Sequence, residues 1–498
     1  MVTWKKLAMG AAGAAGGGDT SWIANFAASG EIVYPSKVYE TSDGEIIASG
    51  NFNNKAYIVN MDGSDGSVNW SFASKGRHEF NEITAGDVGR IKPTVALYND
   101  VNDHYLVHGY FRGSVTGSNI DGDSIHFYMY DRNTSTTETQ LNRTYGRNYF
   151  DAEVTANSAF IDSSGRLYSG GVVDHTIARQ YIIRYDDDNT GYGDAYTPDA
   201  RCYLQNASNS NWALYSSAIY QRSNGDVLSI GNTLRASAGW KDAFLCKLPA
   251  GLGSLDYARM YRFGNGNDEV LASCYNETLD IVGIVHIVDV EGAYSGLTIL
   301  DASDGDILAY RTIRGTYGSG QDPSFKCIAI DDNYNAYIGA YGTNATGFGG
   351  SSLCNMIMKF SSVNNTNIAL EWLVECKGGT NQAEVLDITL NSNGTPIISM
   401  ATKQSGQTRN SGYVLKADPD ANFASTSGST YLNITFKDFT STATANVSYD
   451  TSVTPSNVDA SGTNISRTTN YPDQLSFSNS AGASEEASWT TSENNTSL

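Results

Sequence analysis

Six histidines, His78, His104, His108, His126, His175 and His286, are the first residues to test for chemistry in this 498-residue chain. No H-E-x-x-H pair occurs among them. His104 and His108 are four apart, but on an extended strand that spacing separates them by about 13 Å, too far to share an ion. They read as polar residues on strand surfaces. The six cysteines, Cys202, Cys246, Cys274, Cys327, Cys354 and Cys376, contain no C-x-x-C, so neither a zinc site nor a redox dithiol is indicated. Most lie inside apolar runs such as DAFLCKL and FKCIAI and read as small buried hydrophobes. Their even number also permits disulfides, and a reduced compartment fits equally well.

Acidic turns are the next candidates: DDDNTG at Asp186–Gly191, DGSDGS at Asp62–Ser67, DGD at Asp121–Asp123 and DASDGD at Asp301–Asp306. Alternating oxygens beside glycine can bind calcium, and DDDNTG is the best candidate. None has the twelve-residue loop ending in Glu, and Asp and Gly are also what hairpin turns require. A glycosidase would need paired carboxylates at one mouth. Asp174 and Glu269 are single candidates, uninformative among 53 acidic residues. The turn SDGSVNW at Ser64–Trp70 is faintly like the aspartate turn of sialidases, but it is neither repeated nor in the usual spacing. Pieces like G-x-G-x-x-G fall in turns with no helix behind them, so a phosphate cradle is not indicated. No repeated Trp-docking signature for a quinone occurs. These readings leave a non-enzymatic protein with no catalytic residue, cofactor or metal site assigned.

Whatever the function, the residues must be positioned by strands. The chain holds 50 Gly and 31 Tyr, with 40% hydrophobic residues. Tyr, Thr, Val and Ile suit pleated strands, while Gly, Asn and Asp supply turns. The net charge of −21 repels a phosphate backbone, so nucleic acid is not an expected partner. No run of 18 apolar residues exists to span a bilayer as a helix.

The strands come in a repeat. SDGEIIASG, VNDHYLVHG, SSGRLYSGG and SNGDVLSIG are four copies of one pattern, and NETLDIVGI, DNYNAYIGA and SNGTPIISMA are three weaker ones. Their turn positions, Gly44, Asp103, Gly165, Gly225, Thr278, Tyr334 and Gly394, lie 53 to 62 residues apart. A second apolar run follows each: KAYIVNMD, DSIHFYMYD, RQYIIRYD, KDAFLCKL, YSGLTILD, CNMIMKFS and SGYVLKAD. A helix-free unit of about 60 residues reads as a propeller blade, somewhat longer than the common families. The fold expected is therefore all-β, a seven-bladed β-propeller over residues 22–420. WIANFAASG at Trp22–Gly30 resembles WSFASKG at Trp70–Gly76 and WLVECKGG at Trp372–Gly379. Residues 22–30 are accordingly expected to complete the last blade, beside inner strands from Ile388–Asp418.

Two terminal segments flank the ring. Residues 1–21 form a Gly/Ala-rich arm in which Lys5 and Lys6 precede Leu7–Ala15, much as in a secretory signal. Glycines dilute that apolar stretch and Trp4 stands before the lysines, so an arm is the preferred reading. Residues 421–498 form a Ser/Thr/Asn-rich extension that cannot bury enough apolar surface to fold alone. The several N-x-S/T matches follow from composition. Most tyrosines read as strand formers, and some as contact residues in face loops.

The combined pattern, as in YGSGQDPSFKCIAIDDNYNAYIGAYGT, resembles the bacterial seven-bladed propeller repeat, in which an Asp-x-x-Gly turn joins two apolar strands. That turn is intact at Asp162–Gly165 and becomes Asp-Asp-Asn-Tyr at Asp331–Tyr334. VTWKKL running through a Gly/Ala tract into WIANF is similar to the start of virion structural proteins from tailed phages of marine bacteria, cyanophages included. This resemblance implies a virion protein of the tail, a tail fibre or another appendage, present in several copies per particle. The partners it implies are other virion tail proteins and a glycan or protein of the host surface. Trp4, Lys5 and Lys6 are the expected virion-anchoring residues, a Trp beside two cations being suited to a groove with acidic neighbours. The alternatives are a secreted bacterial carbohydrate-active propeller, glycosidase or lectin, and an intracellular scaffold.

Overall fold

The computed structural model describes residues 2–8, 21–28 and most of 33–478; stretches such as 81–89, 115–120, 132–140, 187–196, 343–353 and 404–409 lie outside the description. Every named element is a strand. The strands group into antiparallel sheets arranged as a propeller-like ring. Sheet 1 contains Val33–Glu40, Glu45–Phe52, Lys55–Asp62 and Arg77–Phe80. Sheet 2 contains Arg90–Asn99, His104–Ser114, Asp121–Asp131 and Leu141–Gly146. Sheet 3 contains Glu153–Ile161, Leu167–Asp174, Arg179–Asp186 and Thr197–Asn206. Sheet 4 contains Trp212–Gln221, Val227–Arg235, Lys241–Leu248 and Tyr257–Arg262. Sheet 5 contains Val270–Asn276, Ile281–Asp289, Ala293–Asp301 and Ile307–Gly315. Sheet 6 contains Ser324–Ile330, Ala336–Gly342, Cys354–Ser361 and Ala369–Gly378. Sheet 7 takes Ala383–Leu390, Pro396–Lys403 and Asn410–Lys416 from late in the chain, and Trp22–Ala28 and Val2–Ala8 from its start.

First strands of successive sheets pack on one another, and the first strand of sheet 7 packs on that of sheet 1. The seam between the two ends of the chain is made by Trp22–Ala28 pairing with Asn410–Lys416, with Trp22 opposite Lys416 and Phe26 opposite Gly412. For residues 421–498 the expectation is an extension that does not fold alone. Among the described residues they build no sheet of their own and instead thicken the ring. Ile434–Asp438 pairs with the last strand of sheet 6, Val447–Asp450 with that of sheet 5, Ser456–Asn457 with sheet 4, Ile465–Thr468 with sheet 3 and Ser476–Ser478 with sheet 2. Five sheets thereby reach five or six strands, sheet 7 has five with its two strands from the start of the chain, and sheet 1 has four among the described residues. Complete blades therefore number six, against the seven of the repeat reading, and the shortfall is the outer strand that sheet 1 lacks among the described residues.

Each sheet is covered on both faces by its neighbours, which is why the strands read as continuous apolar runs instead of alternating ones. Lys241–Leu248 is an example, with only its two lysines incompletely buried. The core lies between sheets. Val285, Leu297 and Ile299 of sheet 5 meet Phe325, Ile338 and Met356 of sheet 6. Trp22 and Val414 of sheet 7 meet Ile46, Tyr57 and Met61 of sheet 1.

In three of the repeats the opening turn is held by side-chain capping. Asp162 Oδ1 accepts from the amides of Ser164 and Arg166, both at 2.9 Å. Asp331 does the same for Asn333 and Asn335, and Asn391 for Asn393 and Thr395. The fourth turn position is left-handed, with φ +82° at Gly165 and +90° at Gly225. Tyr334 holds that position at φ +61°, an uncommon conformation for a bulky residue. The Asp331 cap and the core against which Tyr334 packs hold it there.

Candidate functional site

The first strands of sheets 1, 3, 4, 5, 6 and 7 line a central cavity of about 1250 Å³. Each of the seven first strands carries one β-bulge, at Ser36, Thr94, Asn157, Ser217, Leu271, Lys326 and Leu386. A bulge bends its strand and re-aims the extra residue. Asn157, Ser217, Leu271 and Lys326 accordingly reach the cavity wall. Lys326 stands exposed between the buried Phe325 and Cys327.

The polar groups around this cavity mostly tie one sheet to the next. Lys37 of sheet 1 forms an ion pair with Asp387 of sheet 7 at 2.8 Å, and the Val38 amide donates to the other carboxylate oxygen at 3.2 Å. Asn157 Nδ2 donates to the Ser216 carbonyl at 2.5 Å, and the Tyr220 hydroxyl to the Ser273 carbonyl at 2.6 Å. Asn276 Nδ2 donates to the Ile330 carbonyl and to Asp332, at 3.0 and 2.9 Å. Lys359 lies over the Tyr337 ring and pairs with Glu371 at 3.0 Å. Burial pushes the Cys274 thiol up to about 12 and raises that of Cys327 as well, so both wall cysteines stay protonated and unreactive at neutral pH. A cavity with this lining can hold a polar ligand through amides, hydroxyls and the Lys326 ammonium.

The residues singled out in the sequence scatter. Trp4, Lys5 and Lys6 lie in Val2–Ala8, the outermost strand of sheet 7, opposite Phe26, Asn25 and Ala24. They are far in the strand order from the cavity-lining strand of that sheet. His104 and His108 share one strand of sheet 2, His126 lies on the next, and His78 is in the fourth strand of sheet 1. His175 falls outside the described residues. His286 is fully buried, stacked on Phe263 at 3.9 Å with Nε2 2.9 Å from Thr298 Oγ1. Asp62 and Asp301 are turn formers, each accepting the backbone amide two residues on at 2.7 Å. Asp121–Asp123 begins a strand, and of DDDNTG only Asp186 is described. Glu269 pairs with Lys241 at 2.6 Å, and Asp174 ends a strand of sheet 3. Ser64–Ser67 of SDGSVNW belongs to a hairpin turn, and residues 68–70 lie outside the description. Cys202, Cys246, Cys274, Cys327 and Cys376 carry free thiols, and all of these but Cys274 are buried. Among the described residues, no group of three His, Cys, Asp or Glu side chains is arranged to hold a metal.

Sequence reasoning missed the bulge positions, Lys326 above all. The seven residues share no type, so only the repeat register could have aligned them.

No known protein family and no curated protein matches the sequence. Among solved structures, the chain is similar to a protein of unknown function from Dyadobacter fermentans. The two share 10% identity over 68% of this chain and 96% of the other, with a TM-score of 0.33.

Proposed function

We propose that the chain is a non-enzymatic virion structural protein of a tailed phage, associated with the tail or a tail fibre, in which seven blades of one β-propeller are displayed for contact. The contacts are with neighbouring virion proteins and with a glycan or protein of the host surface. The resemblance of residues 2–26 to the start of such virion proteins motivates the virion part. The observation that supports the display part is the commitment of two of the acidic groups that line the cavity, Asp387 and Asp331. Asp387 holds Lys37 and the Val38 amide, and Asp331 caps its turn. Neither is left as one of a pair of carboxylates for hydrolysis. The packing of first strands in a closed cycle supports counting sheet 1 as a seventh blade.

Anchoring is assigned to Trp4, Lys5 and Lys6 on the rim strand of sheet 7, where an outer strand can meet a partner edge to edge. Mass spectrometry of purified particles tests the reading. The intact chain is expected at stoichiometric levels, and its presence only as a soluble, N-terminally trimmed species overturns it. In particles carrying Trp4→Ala, Lys5→Ser and Lys6→Ser together, incorporation is expected to fall at least tenfold with the ring still folded.

A second reading, a secreted carbohydrate-binding propeller, is favoured by one observation. Tyr220, Tyr275 and Tyr337 line a cavity otherwise rich in amides and hydroxyls, a surface suited to sugar rings.

A further inference from the structure

Five described strands of the C-terminal segment form a belt that runs backward around the ring, from sheet 6 to sheet 2. The belt obeys the same rules at every step. Each belt strand runs antiparallel to the last chain-ordered strand of its sheet, and each takes the carboxyl-terminal end of that strand. The partners are Val374–Gly378, Thr312–Gly315, Tyr261–Arg262, Tyr203–Asn206 and Thr144–Gly146, in that order. Belt strands start at residues 434, 447, 456, 465 and 476, so successive starts are 9 to 13 residues apart. At about 3.3 Å per residue such a step reaches roughly 30 to 40 Å, enough to pass from one sheet rim to the next.

The next sheet in this backward order is sheet 1. Among the described residues its strand order ends at Arg77–Phe80, with no belt strand beyond. An unpaired outer strand exposes a row of amides and carbonyls that invites pairing. The chain continues for 20 residues after Ser478, and in that stretch Trp489 is the one aromatic residue. It stands in Ser488-Trp489-Thr490, a close counterpart of the preceding belt strand Ser476-Phe477-Ser478, and starts 12 residues after it. We infer that Ser488–Thr490 is the outer strand of sheet 1, antiparallel to its Glu79–Phe80 end, and that it completes the belt. The occupant is this chain's own tail rather than a second copy or another protein, because length, order and residue pattern all fit the tail.

Hydrogen exchange followed by mass spectrometry on the full chain tests this. Amides of Ser488–Thr490 are expected to be protected, and exchange at the free-chain rate overturns the inference. In two variants, Trp489→Pro and a chain ending at Glu486, peptides over 77–82 are expected to exchange at least tenfold faster than in the full chain. Peptides over 141–146 should be unchanged and so report that the ring remains folded. Equal exchange of 77–82 in all three proteins overturns the inference. Protection of 77–82 that rises with protein concentration also overturns it, by assigning the edge to a second copy.

Discussion

Trp22 and Lys416 are cross-strand partners in sheet 7, and both donate to the same acceptor, the Gly63 carbonyl of sheet 1, each at 3.0 Å. The device recurs where the chain is continuous. Trp372 Nε1 of sheet 6 donates to the Pro419 carbonyl beyond sheet 7's third strand, and the Tyr257 hydroxyl of sheet 4 to Ala302 beyond sheet 5's third strand. Tyr168 and Arg184 of sheet 3 share the Ala250 carbonyl beyond sheet 4's third strand in the same way. The joint between sheets 7 and 1 is thus built like the joints between other neighbouring sheets.

Trp22→Ala should therefore open that joint, costing about 3–5 kcal/mol for a fully buried Trp. Trp22→Phe keeps most of the apolar contact and is expected to lose less than half as much. Gly66→Ala should also destabilise, because its Cβ would lie 2.4 Å from the Trp22 ring at a φ of +71°. Urea unfolding of the three variants checks the order.

The Asp331 cap gives a second expectation. Its carboxylate serves two amides, the Asn335 side chain at 2.8 Å and the Tyr337 hydroxyl at 3.3 Å. Removing it strands buried donors and leaves Tyr334 in a left-handed conformation without support. Asp331→Ala is expected to cost about 2–3 kcal/mol and Asp331→Asn about 1 kcal/mol or less. Denaturant titration distinguishes the two.

His286 sets a pH dependence. Burial pushes its imidazole down to about 3, while the Ile287 carbonyl acts weakly the other way. The unfolded chain, with an ordinary histidine near 6.5, takes up a proton that the folded chain refuses. Stability from this group is complete above pH 6.5 and declines as pH falls toward 3, by up to about 1.4 kcal/mol per unit. Between pH 6.5 and 5, before carboxylates contribute, thermal unfolding should shift downward in the native protein. His286→Gln, which can still bond Thr298, should flatten that slope.

Arg222 and Asp280 join the turns of sheets 4 and 5. The guanidinium bonds both carboxylate oxygens, with Nε 2.9 Å from Oδ1, and the Tyr275 hydroxyl adds a bond of 2.9 Å. The Arg222 hydrogen bond is the main reason that the Asp280 carboxyl is held below its usual range. Because Asp280 is partly exposed, a double-mutant cycle with Arg222→Ala and Asp280→Ala should give a coupling of only about 1 kcal/mol.

Much of this fold was legible because the repeat is written in turn chemistry. Asp162, Asp331 and Asn391 cap equivalent turns, and Gly165, Tyr334 and Gly394 take the left-handed position after them. The likeness of Trp22 to Trp372 was visible too, and both indoles donate to the next sheet. The belt was not legible. Its strands are as short as Ser456–Asn457, and a strand that adds only an outer edge needs no apolar run, so a polar tract conceals it. The cavity wall was hidden for another reason: a bulge is a register event between two strands, and Lys326 carries no local mark of it.

The joint at Trp22 also sets a timetable. Trp22–Ala28 leaves the ribosome early, while its partner Asn410–Lys416 is made about 390 residues later. At roughly 5–20 residues per second, the early strand waits some 20–80 s for its place. Through that interval the nascent ring is an open arc with an apolar flank at each end. Closure of the ring consequently waits until Asn410–Lys416 has been made, late in synthesis.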